Sequence, residues 1–183
     1  MNLQILNYAD LAKDVSISQP TAKQWLSILV SSGMVALVEP YYNNILKCSI
    51  KSPKMYFLDT GLCAYLTKWA TPESLEAGAM SGAIFETFVV GEIIKSYYNA
   101  GKRPPLYYYR DKDKKEIDLL IQENDTLYPI EIKKSTNPGR SSIQHFGVLE
   151  KTGLKVGDGC VICLTEDLIP IDKKNWLVPV GLV

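Results

Sequence analysis

The strongest constraint on the fold of this chain is a pair of short segments in which charged side chains alternate with branched apolar ones. Residues 116–122 read Glu-Ile-Asp-Leu-Leu-Ile-Gln, and residues 127–133 read Leu-Tyr-Pro-Ile-Glu-Ile-Lys. A period of two is the spacing of side chains that share one face of a β-strand. Turn-forming residues at 123–125 separate the segments, so the sequence predicts a β-hairpin.

The predicted hairpin indicates which side chains lie next to one another. On the first strand Glu116, Asp118 and Leu120 share a face, and on the second strand Glu131 and Lys133 share a face. The opposite faces are apolar, with Ile117, Leu119 and Ile121 on the first strand and Ile130 and Ile132 on the second. We therefore expect Asp118, Glu131 and Lys133 to lie side by side.

This arrangement suits the metal-assisted cleavage of a phosphodiester. Two carboxylates offer hard oxygen ligands to Mg²⁺ or Mn²⁺, and a lysine can hold a phosphate or the attacking water. The alternative is an ordinary hairpin with a solvated charged face, which produces the same spacing. Glu86 favours the first interpretation, because it lies in the apolar segment from Ala83 to Tyr98, where an acid is costly unless it is used.

The rest of the C-terminal half predicts an α/β core. Periodicity predicts a helix at 83–98, a strand at 106–109, a helix at 140–151 and strands at 159–164 and 176–180. Together with the hairpin, these elements predict a mixed sheet flanked by helices. Residues 69–81 read as a connection, and we place the boundary between two domains there, with residues 1–78 and 79–183 as the two units.

The N-terminal part predicts two helices followed by two strands. Asn7 and Ser18 are N-capping residues, and Pro20 stands in the first turn of the second helix, where its missing N–H costs nothing. The predicted elements are a helix at 8–14, a helix between Ser18 and Gly33, and strands at 34–38 and 54–58. This order of elements is that of a small winged-helix segment.

A winged helix offers two sets of residues for nucleic-acid contact. Thr21, Lys23 and Gln24 begin the second helix, where base edges are contacted, and Lys51 and Lys54 lie where the wing meets phosphates. The chain has 20 basic and 20 acidic residues, which argues against binding by overall charge alone. Winged helices also bind proteins, and the sequence leaves DNA contact and protein contact equally open.

Other features of the sequence restrict the class of function. The chain lacks the glycine-rich phosphate loop, so no ATP site of that kind is predicted, and no apolar run is long enough to cross a membrane. Cys160 and Cys163 fall in a predicted strand, where residues three apart face opposite ways, which argues against a shared zinc ion. Reduced core cysteines indicate a cytoplasmic protein.

Several stretches carry a resemblance to a known family. They are Lys51 to Leu62, Gly82 to Val89, Tyr109 to Asp111, and the hairpin strands with Ile117-Asp118-Leu119-Leu120 and Ile130-Glu131-Ile132-Lys133. The hairpin strands are similar to the core motif of the PD-(D/E)xK nuclease superfamily. From about Leu6 to about Leu149, the chain resembles the C-terminal region of a family of AAA-type ATPases, whose C-terminal domain is known as DUF4143.

The resemblance implies a restriction-endonuclease-like domain after the winged-helix segment, with an ATPase module upstream as its partner. It places Asp118, Glu131 and Lys133 at the catalytic positions of the superfamily, and Glu86 at the acidic position of the first core helix. Glu86, Asp118 and Glu131 are thereby implied as ligands of Mg²⁺ or Mn²⁺, and Gln144 matches a position where many members keep a glutamine. We expect a metal-dependent nuclease that acts on DNA. The alternative is a non-catalytic domain that docks nucleic acid or a protein.

Overall fold

A computed structural model describes residues 5–42, 52–69 and 71–183. Within them the helices are α1 (Tyr8–Asp14), α2 (Gln19–Ser31), α3 (Thr60–Leu66), α4 (Pro72–Ala77) and α5 (Ser81–Asn99). The strands are β1 (Val35–Pro40), β2 (Lys54–Phe57), β3 (Leu106–Arg110), β4 (Glu116–Glu123), β5 (Thr126–Lys133), β6 (Lys155–Val156), β7 (Gly159–Cys163), β8 (Ile169–Pro170) and β9 (Asn175–Pro179). Short 3₁₀ helices lie at Arg140–Ile143, Phe146–Thr152 and Val180–Leu182.

The N-terminal helices begin at the residues that the sequence predicts. The side-chain oxygen of Asn7 accepts a hydrogen bond from a backbone N–H of α1 at 3.0 Å, and Ser18 Oγ accepts one from the N–H of Thr21 at 3.2 Å. Beyond the end of α2, Gly33 has a φ of +72°, which glycine adopts more readily than other residues. The predicted order of two helices and two strands is therefore confirmed.

One mixed sheet joins both halves of the chain. Among the described strands its order is β2-β1-β3-β4-β5-β7-β9-β8, with β6 beside β5. Strands β3, β4 and β5 are antiparallel, whereas β1–β3, β5–β7 and β7–β9 pair in parallel. The predicted α/β class is confirmed. Because β1 pairs with β3, the antiparallel strands β1 and β2 (the N-terminal hairpin) extend the sheet of the C-terminal half.

Residues 140–151 differ from the prediction of a single helix. They form two successive 3₁₀ helices, in which the N–H of Val148 bonds to the carbonyl of His145, three residues back, at 3.1 Å. Gly147 lies at this point, and glycine lowers the stability of a continuous α-helix. The prediction was right that the segment is helical and wrong about the kind of helix.

Residues 69–81 contain more regular structure than the connection predicted there. Thr71 and Ser74 form a capping box, in which each side chain bonds to the backbone N–H of the other residue, and α4 begins at this box. Strands β6 and β8 were also not predicted. Each has two residues, which is too short for a periodic pattern to appear.

The core on one side of the sheet is built around α5. Its buried apolar residues Val89, Val90 and Ile94 belong to the same cluster as Leu119 of β4, and Ile130 and Ile132 of β5. The other side is covered in part by the second 3₁₀ helix, whose Phe146 and Leu149 cluster with Leu120 and Leu127. Cys160 packs against the α5 core and Cys163 lies in a separate cluster, so the predicted separation of the two thiols is confirmed.

Strand β4 contains one extra residue beside the predicted site. Tyr107 pairs with Leu120 and Tyr109 pairs with Ile117, so Asp118 and Leu119 together oppose the single residue Tyr108. This bulge interrupts the simple alternation, because Ile117 packs in the cluster of Leu120 whereas Leu119 packs against α5. The prediction that Ile117 and Leu119 share a face is therefore wrong. Bulges commonly redirect a side chain at a functional site.

We expect Leu119→Ala to lower the free energy of unfolding by about 2–5 kcal/mol, because it removes a completely buried side chain and leaves a cavity. Leu168→Ala is the matched control, since Leu168 is 55% exposed, and should change stability by less than about 0.5 kcal/mol. Urea unfolding of both variants measures the difference. Equal effects would contradict the central position of β4.

Candidate active site

A polar cavity of about 480 Å³ lies between α5, the adjoining ends of β4 and β5, and the two 3₁₀ helices that follow β5. Its lining includes Glu86 from α5, Glu116 and Asp118 from β4, Glu131 and Lys133 from β5, and Gln144. The residues predicted to be catalytic thus line one cavity together with Gln144, while their role in catalysis stays a prediction.

Asp118, Glu131 and Lys133 are directly linked. Lys133 Nζ lies 2.6 Å from Glu131 Oε1 and 3.8 Å from Asp118 Oδ2. The backbone N–H of Ile132 donates a hydrogen bond to Asp118 Oδ2 at 2.9 Å, which fixes this carboxylate against β5. The side chain of Lys133 is 42% exposed. Its ammonium is therefore held beside both acids and remains accessible from solvent.

A second lysine lies deeper in the same cluster of acids. Lys54 Nζ, from β2, lies 2.7 Å from Glu116 Oε1, 3.2 Å from Glu86 Oε1 and 4.0 Å from Asp118 Oδ1. It also lies 5.3 Å from the centre of the Tyr108 ring, within the range of a cation–π contact. Lys54 is completely buried. A charge in such a position is tolerated only when it is paired.

Two further contacts orient the acids around Lys54. The Tyr56 hydroxyl donates a hydrogen bond to Glu86 Oε1 at 2.8 Å, and Arg110 Nη1 lies 3.3 Å from Glu116 Oε2. Burial raises the pKa of Tyr56 well above its usual value, so its hydroxyl keeps its proton and can donate. The side chains of Glu86 and Glu116 are therefore both fixed in place by more than one neighbour.

Burial changes the protonation of the acids in the cavity. It raises the pKa of Glu131 to about 8, and repulsion by the Asp118 carboxylate adds to this increase. Burial also raises the pKa of Glu86, although the Lys54 ammonium and the Tyr56 hydroxyl oppose the change. These two carboxyls consequently hold their protons more tightly than they would in water.

Both lysines keep their charge. Burial lowers the pKa of Lys54, but the carboxylates of Glu86, Asp118 and Glu116 more than offset this effect, so the pKa lies above its usual value. The same balance raises the pKa of Lys133, with Asp118 and Glu131 as the main opposing charges. At neutral pH Lys133 is therefore a hydrogen-bond donor and a positive charge, and it is not a proton acceptor.

The carboxylates of the cavity meet some of the requirements for binding a divalent cation. Within residues 5–42, 52–69 and 71–183, no three Asp, Glu, His or Cys side chains are close enough together to bind one metal ion as a group. The predicted ligand set of Glu86, Asp118 and Glu131 is thus not preformed. Asp118 and Glu131 do supply hard oxygen donors in one cavity, and a cation there would offset the repulsion that, after burial, contributes most to the raised pKa of Glu131.

The residues predicted to contact nucleic acid lie elsewhere, except for Gln144 and Lys54. Lys23 and Gln24 are exposed on α2, and the hydroxyl of Thr21 is 2.7 Å from that of Ser18 at the start of this helix. Lys51 falls outside the described residues. Lys54 was predicted to reach a phosphate from the wing, and the structure corrects this prediction, because its ammonium is buried against carboxylates.

Several residues of the site have positions that the sequence did not predict. Lys54 and Tyr56 come from β2, and alternation along one strand carries no information about which acids they meet. Ser141, Ser142 and His145 also line the cavity, together with Lys114 from the loop before β4. Two of these four had a signal in the sequence, because Lys114 lies immediately upstream of the acidic strand and His145 adjoins Gln144.

The outer face of α2 is apolar and exposed. Trp25 and Ile28 are 54% and 56% exposed, and Leu29 and Val30 are also exposed. A largely apolar pocket of about 280 Å³ lies beside this helix, lined by residues that include Leu11 and Trp25. Of these residues and their neighbour Leu26, only Leu26 is in the core.

Residues 81–183 match the family described as "Domain of unknown function (DUF4143)". This match covers more than half of the chain, and the chain belongs to the DUF4143 family. Residues 1–73 are similar to a second family, described as "Domain of unknown function (DUF8612)". The helices of the described residues include none with the length and apolar character needed to span a membrane.

Two curated relatives come from mycobacteria. They are the uncharacterized protein Mb2031c of Mycobacterium bovis and the uncharacterized protein Rv2008c of Mycobacterium tuberculosis, each 33% identical to this chain over 177 residues. The aligned region covers 96% of this chain and 38% of each relative, so the chain spans well under half of their length. No solved structure matches the chain.

We expect the stability of the chain to fall as the pH rises from about 4.5 to about 8, because the folded state holds the Glu131 proton across this window and the unfolded state does not. Glu131→Gln removes the titrating group and keeps its shape. The variant should therefore gain stability relative to the parent between pH 5 and pH 8, by roughly 1–4 kcal/mol.

Thermal unfolding at several pH values measures this difference. Glu150→Gln, at an exposed position, is the matched control and should show no such trend. A constant difference in Tm between Glu131→Gln and the parent across this pH range would contradict the raised pKa.

Proposed function

We propose that this chain is a metal-dependent phosphodiesterase that cleaves nucleic acid, with DNA as its substrate class. The observation that carries the proposal is the grouping of Asp118, Glu131 and an accessible, protonated Lys133 at one open cavity. A solvated hairpin, the ordinary alternative, would leave both acids exposed. Here Asp118 and Glu131 are each only 9% exposed, and burying acidic groups is costly when they serve no purpose.

Asp118 and Glu131 are the residues that would hold Mg²⁺ or Mn²⁺. When bound, such an ion lowers the pKa of a coordinated water and neutralises charge on the scissile phosphate. Asp118 is already oriented by the N–H of Ile132, and this fixed position avoids a reorganisation cost on binding. Glu131 would lose its tightly held proton when the cation binds.

Lys133 supplies the positive charge of the protein at the reacting group. Its ammonium can donate hydrogen bonds to a phosphate oxygen or orient a water. Its raised pKa keeps the ammonium protonated at neutral pH, so it remains a donor. Gln144, Ser141 and Ser142 line the same cavity and offer uncharged hydrogen-bonding groups to a phosphate or sugar. The cavity thus combines a charged centre with a polar border.

A restriction-endonuclease-like core and an N-terminal winged helix are part of this proposal. Helix α5 packed on the antiparallel strands β3, β4 and β5, with acids on α5, β4 and β5, agrees with that description. The sequence resemblance also suggests an AAA-type ATPase as the functional partner of this region. We assign ATP-driven action to that module and phosphodiester cleavage to the residues described here.

Protein docking is the second candidate function, and the α2 surface supports it. The exposed face of this helix carries Trp25, Ile28 and Leu29, whereas base-edge recognition depends on polar side chains. Exposed aromatic and aliphatic residues around an apolar pocket are typical of protein interfaces. This surface therefore favours protein contact over DNA contact for the N-terminal helices, and it is compatible with catalysis at the separate acidic cavity.

We expect the purified chain to cleave DNA when Mn²⁺ is present, and Lys133→Ala to reduce the rate by at least about 100-fold, because it removes the charge at the reacting group. Lys134→Ala is the matched control, since Lys134 Nζ bonds to the carbonyl of Glu76 at 3.0 Å and does not line the cavity. Its rate should stay close to that of the parent.

Gel assays with single- and double-stranded DNA and RNA measure these rates. Equal cleavage by the parent and by Lys133→Ala would point to a contaminating nuclease. A complete lack of cleavage, also in the presence of the proposed ATPase partner, would move the assignment to docking.

We also expect Mn²⁺ to stabilise the folded chain, by about 2.7 kcal/mol at a concentration 100 times its Kd, because the ion binds only the folded site. Asp118→Asn should abolish this gain, whereas Asp167→Asn, at an exposed position, should retain it. Thermal unfolding with and without Mn²⁺ measures the effect. The same gain in all three proteins would place the ion outside the cavity.

A further inference from the structure

We propose that Lys54 acts as a built-in cation, so that Glu86 and Glu116 are committed to its ammonium and only Asp118 and Glu131 remain for a divalent ion. This inference deepens the proposed function and rests on it for the ion at Asp118 and Glu131. It assigns Lys54 as a positioning residue, and it changes the role of Glu86 from metal ligand to partner of Lys54.

The geometry around Lys54 supports this assignment. The ammonium has Glu116 at 2.7 Å, Glu86 at 3.2 Å and Asp118 at 4.0 Å. It is completely buried. Carboxylate oxygens are the ligands that hard divalent cations prefer. The ammonium therefore supplies, next to these three acids, the positive charge that a divalent ion could otherwise supply.

The contacts of Glu86 and Glu116 with other groups strengthen the argument. The Oε1 atom of Glu86 that faces Lys54 also accepts a hydrogen bond from Tyr56, and the second oxygen of Glu116 pairs with Arg110. A metal ion bound by Glu86 would have to displace both Lys54 and the Tyr56 hydroxyl from that oxygen. By contrast, the cation that contacts both Asp118 and Glu131 is the half-exposed Lys133, whose flexible side chain can move aside, and Lys54 is farther from Asp118 than from Glu86 or Glu116.

The origin of Lys54 gives the N-terminal segment a part in the site. Lys54 lies on β2, within the residues 1–73 that are similar to one family, whereas its carboxylate partners lie within residues 81–183, which match another. Lys54 and Tyr56 are both on this short strand, and both point to Glu86. The acidic cavity is therefore completed by the N-terminal hairpin, and it would be electrostatically incomplete without it.

Removal of the ammonium provides the test. Lys54→Met keeps a long side chain that can pack beside Tyr108 but removes the charge, so Glu86, Glu116 and Asp118 lose their shared cation. We expect this variant of the full chain to bind one Mn²⁺ more than the parent, measured by isothermal titration calorimetry and by electron paramagnetic resonance of free Mn²⁺. Lys95→Met is the matched control, because Lys95 pairs with Glu92 on the outer part of α5, and it should bind as many ions as the parent.

Folding of the variant is measured in the same experiment. A Lys54→Met chain that folds only when Mn²⁺ is added also supports the proposal, since the ion then replaces the ammonium. An unchanged number of bound ions would overturn it. If the parent binds no Mn²⁺, the proposed function is contradicted, whereas an extra ion in Lys54→Met would still support the role of Lys54.

A second variant covers the case in which Lys54→Met does not fold under either condition. Glu86→Gln should lower the Mn²⁺ affinity of the parent by less than about tenfold, and Glu131→Gln should lower it by more than that. The reason is that, of these two residues, Glu131 is a proposed ligand and Glu86 is not. A loss in Glu86→Gln as large as that in Glu131→Gln would overturn the proposal.

Discussion

The buried ion-pair cluster around Lys54 is the interaction on which the rest of this structure depends. Its ammonium, 2.7 Å from Glu116 and 3.2 Å from Glu86, links β2 to β4 and α5, elements that lie far apart in the sequence. Carboxylates packed this closely and largely shielded from solvent would repel one another. The lysine offsets this repulsion, so the acidic cavity can exist in the folded chain before any ligand arrives. A buried pair of this kind is strongly destabilising to break, because it leaves charges uncompensated.

The backbone of β4 and β5 also positions the acids of the cavity. The bulge in β4 adds a residue at Asp118 and Leu119, so that Leu119 enters the core beneath α5 while Asp118 receives a hydrogen bond from Ile132 in β5. The neighbouring Glu131 and Lys133 project from β5 into the same cavity. Electrostatics and backbone geometry together produce two pairs of acids in this cavity: Glu86 and Glu116 lie closest to the buried Lys54, whereas Asp118 and Glu131 are both contacted by Lys133, whose side chain is accessible from solvent. This division is what makes a chemical role for the second pair physically reasonable.

Much of the fold and of the candidate site could be predicted from local sequence patterns. Contacts between segments that are distant in the sequence could not. The alternation in residues 116–133 indicated the hairpin and the grouping of Asp118, Glu131 and Lys133, and the apolar surroundings of Glu86 marked it as unusual. Lys54 was placed on an exposed wing, because a lysine in a loop-and-strand region is ordinarily exposed. Its true partners depend on the sheet order, which brings β2 to α5 across 32 residues and which no periodicity contains. The bulge was missed for a similar reason, since an inserted residue is visible only against the strand beside it.

A crystal structure of the chain with bound Mn²⁺, located by its anomalous scattering, tests the central claim most directly. We expect one anomalous peak next to Asp118 and Glu131, with the Lys54 ammonium still paired with the carboxylates of Glu86 and Glu116. A peak among Glu86, Glu116 and Asp118 with Lys54 displaced would contradict the division of the acids. The lack of any peak at the cavity would contradict the metal-dependent chemistry itself.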